Sequence, residues 1–356
     1  MVNVRVAKPG EEVLVSDLAV EIFKPNMKEQ FIRLFHQNNI EHIFVGVDDD
    51  KIVSALNYYP SVIQSYDEQF KVGSIGAVCT KESHRKLGLS SSLLAMAEQK
   101  MKEEHIDFCI ISGRRGLYQR FGARDVGAIE NYTFKPIETS EPCDVRPYQG
   151  ESKILYNLYQ KEQVFYQRTY EEFVDLFNGQ TYPDSYQTYP TYIIYDNNTP
   201  VAYIIFILHR DKDILEVKEM AGSRKHIYDA LSYVLEKHHK NMIDIKITAH
   251  DDIKNYLLDE VKKMSQQATL KIIDHVSFLN KLNHMMLNKD VPVSFQINDE
   301  HINLIIENQT YPLTHNTLHN LIFSWDHNLK LPSEYDAYIK EVFPLELPWS
   351  HNLNYQ

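Results

Sequence analysis

Two groups of residues in this chain combine side-chain type and spacing in a way that could do chemistry. The first is the run Arg85-Lys86-Leu87-Gly88-Leu89-Ser90-Ser91, which follows the strand-like segment Phe70 to Cys79 and opens a helical one. A strand feeding a helix in this way leaves free backbone N–H groups at the helix start. With the positive end of the helix dipole, those groups bind a phosphate or pyrophosphate. Gly88 has no side chain to block close approach of the backbone, the serines can cap or donate, and Arg85 and Lys86 add charge. One glycine in a basic turn is, by itself, also how an ordinary helix cap reads. The second group is centred on Tyr118, one helix and one strand later, inside a short helical segment that ends at Phe121-Gly122. In an α/β layout adjacent strand ends bring the basic loop and this phenol to one rim. Taken alone, Tyr118 is one of 23 tyrosines and packs by its ring.

Other residues are weaker candidates. His315 and His319 have the i, i+4 spacing that can hold a metal on one helix face, but no carboxylate takes a third position, so no metal is expected. His238-His239 sits at a helix end, where a cation suits the dipole. Cys79 lies beside the basic loop and reads as a core thiol. Phe23, Phe31, Phe35, Tyr58 and Tyr59 could line an acceptor pocket, although core packing explains most of them.

The elements that must position these residues follow from periodicity. Val2 to Val6 alternates as a strand, and Glu12 to Asn38 reads as helical with Pro25 punctuating it. His42 to Val47 and Ile52 to Tyr59 form a hairpin through Asp48-Asp49-Asp50, and Phe70 to Cys79 is a third strand. Leu89, Leu93, Met96, Ala97 and Met101 share one helix face; Phe108 to Ser112 and Val126 to Phe134 are strands. Glu138 to Pro147 reads as a linker. From Glu151 to about Leu270 the same order returns more loosely. The expected elements are helix over Ile154 to Phe177, hairpin Tyr192 to Leu208, strand Ile214 to Glu219, helix Ile227 to His239, strand Ile243 to Thr248 and helix Ile253 to Met264. Beyond Lys271 come a helix over Val276 to Met286, strands around Val293 to Ile297 and His301 to Glu307, helix Asn316 to Trp325 and a proline-rich tail. The implied class is α/β (α+β): mixed sheets flanked by helices, in domains 1–137, 138–270 and 271–356.

Composition narrows the partners. The chain of 356 residues is 43% hydrophobic and 24% charged, as an ordinary globular protein is. Its 37 Lys and Arg against 49 Asp and Glu leave a net charge of −12, which disfavours nucleic acid as a partner. Three cysteines, Cys79, Cys109 and Cys143, fit a reducing compartment rather than a disulfide framework. The longest apolar run, Tyr203 to Leu208, is far below the ~20 residues that cross a bilayer. With acidic residues in place of a leader's basic start, no secretory signal or membrane association is expected, and a cytoplasmic location is.

The segment Val78-Cys79-Thr80 through Arg85-Lys86-Leu87-Gly88-Leu89-Ser90 resembles motif A of the GCN5-related N-acetyltransferases (GNAT), R/Q-x-x-G-x-G/A, with Ser90 where Gly or Ala is usual. Leu117-Tyr118-Gln119-Arg120-Phe121-Gly122-Ala123 is similar to the Y-x-x-F-G segment after that superfamily's fifth strand. The layout resembles the enhanced-intracellular-survival (Eis) branch, which has an acetyltransferase domain, a degenerate second one and a sterol-carrier-protein-like C-terminal domain. The resemblance is strongest between about Ser74 and Gly127. In the second domain Gly222-Ser223-Arg224-Lys225 departs from the motif, which puts any cofactor site there in doubt.

The resemblance implies acetyl-CoA as co-substrate. Fourth and fifth strands would splay apart, so that backbone groups at Val78 and Thr80, flanking Cys79, pair with the pantetheine arm and one N–H meets the carbonyl oxygen. The N–H groups from about Lys86 through Leu87, Gly88, Leu89 and Ser90 to Ser91 would hold the pyrophosphate, with Arg85 nearby. Tyr118 would protonate the departing thiolate. The branch assigns the amine's proton to the C-terminal carboxylate, here that of Gln356, where the branch tends to an aromatic residue. The expected activity is therefore transfer of the acetyl group directly to a primary amine on a cationic small molecule. The alternatives are a non-catalytic acyl-CoA or apolar-ligand binding protein on the same scaffold, or acetylation of a protein lysine. The branch also suggests homo-oligomers, although no stripe in the sequence demands assembly.

Overall fold

Apolar residues at Phe44, Leu56, Tyr58 and Ile75 set the strands of a first sheet, because they share one face that must be buried. The computed structural model describes residues 2–137, 144–257, 260–298 and 301–356, so Cys143 lies outside the described residues. The chain divides into two units: residues 1–128, 265–347 and 356 in one, and 129–264 with 348–355 in the other.

In the first unit the strands are β1 (Asn3–Val6), β2 (Ile43–Asp48), β3 (Lys51–Ser65), β4 (Glu68–Thr80), β5 (Phe108–Ile111) and β6 (Arg124–Val126). The sheet runs β1-β2-β3-β4-β5, then strand Ala268–Ile272, then β6. Neighbours pair antiparallel except β4 and β5, which are parallel and are joined by helix α3 below. The helices are α1 (Glu11–Ile22), α2 (Met27–Gln30), α3 (Leu89–Glu103) and α4 (Gly116–Phe121). Helix α3 lays Leu93, Leu94, Ala97 and Met101 onto Phe44, Leu56, Tyr58 and Ile75. At the far end of the sheet the rings of Phe70, Phe108, Phe278 and Phe323 pack with centroids 5.5–6.1 Å apart. This attaches helices His275–Asn288 and His315–Phe323 to β4 and β5. The fully buried Asp107 adds polar cross-links, accepting from Lys71 N–H (2.7 Å), Ser277 Oγ (2.7 Å) and Lys281 Nζ (2.6 Å). A small antiparallel sheet, Val293–Asn298, His301–Ile306 and Gln309–Leu313, belongs to the same unit.

The second unit has its own mixed sheet, ordered Lys262–Met264, Ile129–Phe134, Met242–Ile247, Ile214–Gly222, Thr199–His209, Thr191–Asp196 and Asp144–Pro147. Its one parallel pair, Ile214–Gly222 with Met242–Ile247, is again joined by a helix, Arg224–His238. No helix among the described residues is long and apolar enough to cross a membrane. The fold class is thus mixed α/β, two large sheets flanked by helices with a third small sheet.

Several elements differ from their sequence reading. The strand expected over Val126 to Phe134 breaks at Gly127, whose φ of +147° suits no side chain, and its two halves join different sheets. The helical stretch expected over Glu12 to Asn38 ends at Ile22 but for the turn Met27–Gln30. Between Ile154 and Phe177 the chain forms two helices separated by strand Val164–Gln167. In place of a helix over Ile253 to Met264 there is a 3₁₀ turn, Asp252–Tyr256, and a strand, Lys262–Met264. The Asp251 carboxylate accepts from Ile253 N–H to start that turn, and the sheet edge at Ile129–Asn131 takes the strand. Of the expected linker, residues 138–143 lie outside the described residues and Asp144–Pro147 is an edge strand. Strand Gln309–Leu313 and helix Ser333–Val342 are elements that periodicity missed.

A Cβ on Gly127 would stand 2.2 Å from the backbone nitrogen of Gln266, so Gly127→Ala combines a backbone clash with a left-handed strain. Chemical denaturation is expected to show a loss of about 1–3 kcal/mol or more.

Candidate active site

The site begins where β4 leaves β5. Their parallel pairing covers Val72–Ile75 against Phe108–Ile111 and ends there. From Gly76 to Thr80, among the described residues, β4 pairs with β3 alone. The register slips between Ala55 and Asn57 on β3, with Ala77 at φ +49°, so a bulge re-aims Val78 beside the unpaired edge. Ser54 Oγ donates to the Cys79 carbonyl (2.9 Å) and lies 2.7 Å from Thr80 Oγ1. The end of β4 is therefore fixed from one side and open on the other.

Helix α3 starts at this end. Thr80 Oγ1 is 3.2 Å from Ser90 Oγ, which links the strand end to the helix start. Gly88 is the N-cap at φ +79°, and a Cβ there would meet nothing within 4 Å. Lys86 also takes a left-handed backbone, φ +67°. The first helical bonds run from Ser91 and Ser92 N–H to the Gly88 carbonyl at 3.0 and 3.1 Å. The preceding amides lie outside the ladder, as at any helix start. Arg85, Lys86, Leu87 and Gly88 are exposed, Ser90 is half-buried, and Leu89 is buried as the anchor. This open, cationic helix start of a fifteen-residue helix fits an anionic phosphate group.

Tyr118 is brought to the same region. It is buried in one apolar cluster with Val78, Leu93, Leu94 and Ile111. Gly113 allows the approach: a Cβ there would be 3.2 Å from the Tyr118 ring. Burial raises the phenol's pKa above its ordinary value, and the nearby Arg115 charge only partly opposes that. Tyr118 therefore holds its proton at neutral pH.

Gln356 also lies at the end of β4. Ser112 Oγ, just past β5, donates to the Gln356 carbonyl oxygen (2.7 Å), and a Cβ on Gly76 would be 2.8 Å from the Gln356 carbonyl carbon. Only glycine at position 76 leaves room for it. Sequence reasoning missed Gly76, Ser112 and Asn57. Asn57 is the cross-strand partner of Gly76, and its only sequence signal was a polar residue within a largely apolar strand.

The remaining candidates separate. Tyr58 faces α3, donating to Glu104 at 2.6 Å, while Tyr59 faces the other way; Phe31 and Phe35 are buried and Phe23 is exposed. His319 Nε2 donates to the Asp125 carbonyl (2.9 Å) and His315 meets His275 (3.1 Å), so the two share no partner. In the second unit the corresponding helix start is filled from within. Gly222 N–H donates to Glu162 (2.8 Å), and Arg224 bonds both Glu162 and Asp251.

Residues 3–125 match the sequence model of the family described as acetyltransferase (GNAT) domain. The fold of this segment is that of a GNAT acetyltransferase domain. Among solved structures, a GCN5-related N-acetyltransferase from Anabaena variabilis aligns over 100% of this chain and 96% of its own, with a TM-score of 0.64 at 14% identity. A protein of Enterococcus faecalis described as a probable N-acyltransferase aligns over 89% of this chain and 86% of its own (TM-score 0.66, 13% identity). Eis1 from Mycobacterium abscessus aligns over 88% and 85% (TM-score 0.61, 10% identity). At these identities the likeness is one of fold. No curated protein matches the sequence significantly.

In the GNAT segment both cysteines are inert by burial, which pushes the Cys79 and Cys109 thiols up to about 12. Iodoacetamide at about pH 8 should leave both peptides unlabelled in the native protein and label both after denaturation, since only thiolate reacts. Mass spectrometry of the digest checks this.

Proposed function

We propose that the protein is an acetyl-CoA-dependent N-acetyltransferase that acts on a primary amine of a cationic small molecule. The observation that carries this reading is the convergence of an unpaired β4 edge, an open cationic helix start and a buried, protonated phenol in one cluster. The GNAT match of the same residues supports it. Acetyl-CoA, when bound, supplies a thioester-activated acetyl group. Val78, Cys79 and Thr80 offer backbone groups to its pantetheine arm. Arg85, Lys86, Leu87, Gly88, Leu89, Ser90 and Ser91 form the cradle for its pyrophosphate.

Tyr118 donates a proton to the leaving sulfur. Burial favours this role, because it disfavours the phenolate and keeps the acid form available. A backbone N–H at the β4 bulge meets the carbonyl oxygen; one such donor is worth ~2.7–4 kcal/mol in other enzymes. The amine must lose a proton, and the Gln356 carboxylate accepts it in this reading, which its hydrogen bond from Ser112 Oγ and its place beside Gly76 support. We further propose that the second unit is a degenerate relative of the first. Its Glu162 carboxylate stands where the first unit presents free amides. An acidic chain of net charge −12 favours a cationic acceptor through its overall field.

Release of free CoA thiol from acetyl-CoA with a panel of amines tests the reading. Tyr118→Phe should lower kcat by ~10²–10⁴-fold, the usual worth of general-acid catalysis, with the KM for acetyl-CoA nearly unchanged. Because burial raises the Tyr118 pKa, the acid form persists as pH rises, and ionisation of Tyr118 should not depress kcat until above about pH 10. If acetyl-CoA binds but no amine releases thiol, the binding-protein alternative replaces this reading.

Residues appended after Gln356 should lower kcat, since they convert its carboxylate into an amide. Unchanged kinetics in the extended chain would remove that carboxylate from the mechanism.

A further inference from the structure

Asn57 sits in the middle of β3 with none of its surface exposed, and neither its Oδ1 nor its Nδ2 has a hydrogen-bond partner. Buried polar groups are nearly always paired, so two orphaned atoms on one side chain require an explanation. Its neighbours Leu56 and Tyr58 face α3, so Asn57 faces the opposite side of the sheet. Gly76 is its direct cross-strand partner. A third orphan lies on that same face: Oε1 of Gln356, a residue only 6% exposed. Opposed residues of an antiparallel pair have Cβ atoms about 4.5–5.5 Å apart. The Gly76 Cβ position in turn is 3.4 Å from Gln356 Cβ. The two carboxamides are therefore within side-chain reach across a glycine, with Asn57 Nδ2 a donor lacking an acceptor and Gln356 Oε1 an acceptor lacking a donor.

We propose that Asn57 is a positioning residue that holds Gln356 at the end of β4, its Nδ2 donating to Gln356 Oε1 after a side-chain rotation. The role complements that of Ser112, which already grips the Gln356 backbone. Asn57 does not touch the reacting atoms; it acts through Gln356. Its consequence for turnover rests on the reading of Gln356 given above, whereas the pairing itself does not.

A double-mutant cycle separates the two. Asn57→Leu and Gln356→Leu each strand one buried carboxamide, and each should lower Tm by about 2–4 °C. The double variant removes both partners and should return to within about 1 °C of the parent, because two apolar groups leave nothing unpaired. Additive losses, or an Asn57→Leu protein as stable as the parent, would overturn the proposal. Should Asn57→Leu not fold, Asn57→Ala and Gln356→Ala form the same cycle. In the thiol-release assay Asn57→Leu should lower kcat about tenfold, with partial recovery in the double variant and no change in the KM for acetyl-CoA. Coupling in Tm with kcat unmoved in all variants would leave the pairing intact and sink the role of Gln356 in turnover.

Discussion

The early end of the parallel pairing between β4 and β5 is the constraint on which the rest of the site depends. Up to Ile75 and Ile111 the two strands satisfy each other's backbone; one residue later they do not. A buried strand edge without a partner is costly unless something occupies it. The chain reinforces the opening from the β3 side, with the bulge at Ala77 and the Ser54 hydroxyl bound to the Cys79 carbonyl. Glycines stand where the opening needs room: Gly76 against Gln356 and Gly113 against the Tyr118 ring. The splay, rather than any single side chain, is what lets a helix start, a phenol and Gln356 meet at one strand end.

Desolvation then sets the chemistry of the side chains there. The same burial that pushes the Cys79 thiol up to about 12, and so silences it, keeps the Tyr118 phenol protonated. One physical effect makes a nucleophile inert and an acid available, because in both cases it penalises the anion. The exposed Arg85, Lys86 and Gly88 sit at the other extreme, hydrated and open to a charged ligand.

The second unit shares with the first a mixed sheet built around one parallel strand pair. A parallel strand pair joined by a helix is present in both, and Gly222 even takes the left-handed backbone (φ +96°) that Gly88 takes. Here, however, Glu162 and Asp251 engage Arg224, and Glu162 also takes the Gly222 amide, so internal carboxylates occupy this helix start. A fold supplies a helix start; only the residues around it decide whether that start is free to bind.

Much of the first unit was legible in the sequence because its signals are local. Period-two alternation marks β1 to β4, one apolar face marks α3, and the Arg85 to Ser91 run shows itself by composition and position. Tyr118 was legible through the Gly122 that ends its short helix. What stayed hidden depends on partners far away in the chain. Gly127 breaks a strand because Gln266 lies against it, strand Ala268–Ile272 enters the first sheet between β5 and β6, and Lys262–Met264 becomes a strand because an edge is there to receive it. The sheet register sets Asn57 across Gly76 from Gln356, a placement that nothing local in the sequence signals. By itself the sequence determined the main strands and helices of the first unit from β1 to α3 and which residue types carry charge, protons and free amides, since those follow from nearest neighbours. The tertiary structure alone decided which of them share a face, how deeply each is buried and where the pairing stops, because register and desolvation are properties of contacts between segments that are not neighbours in the chain.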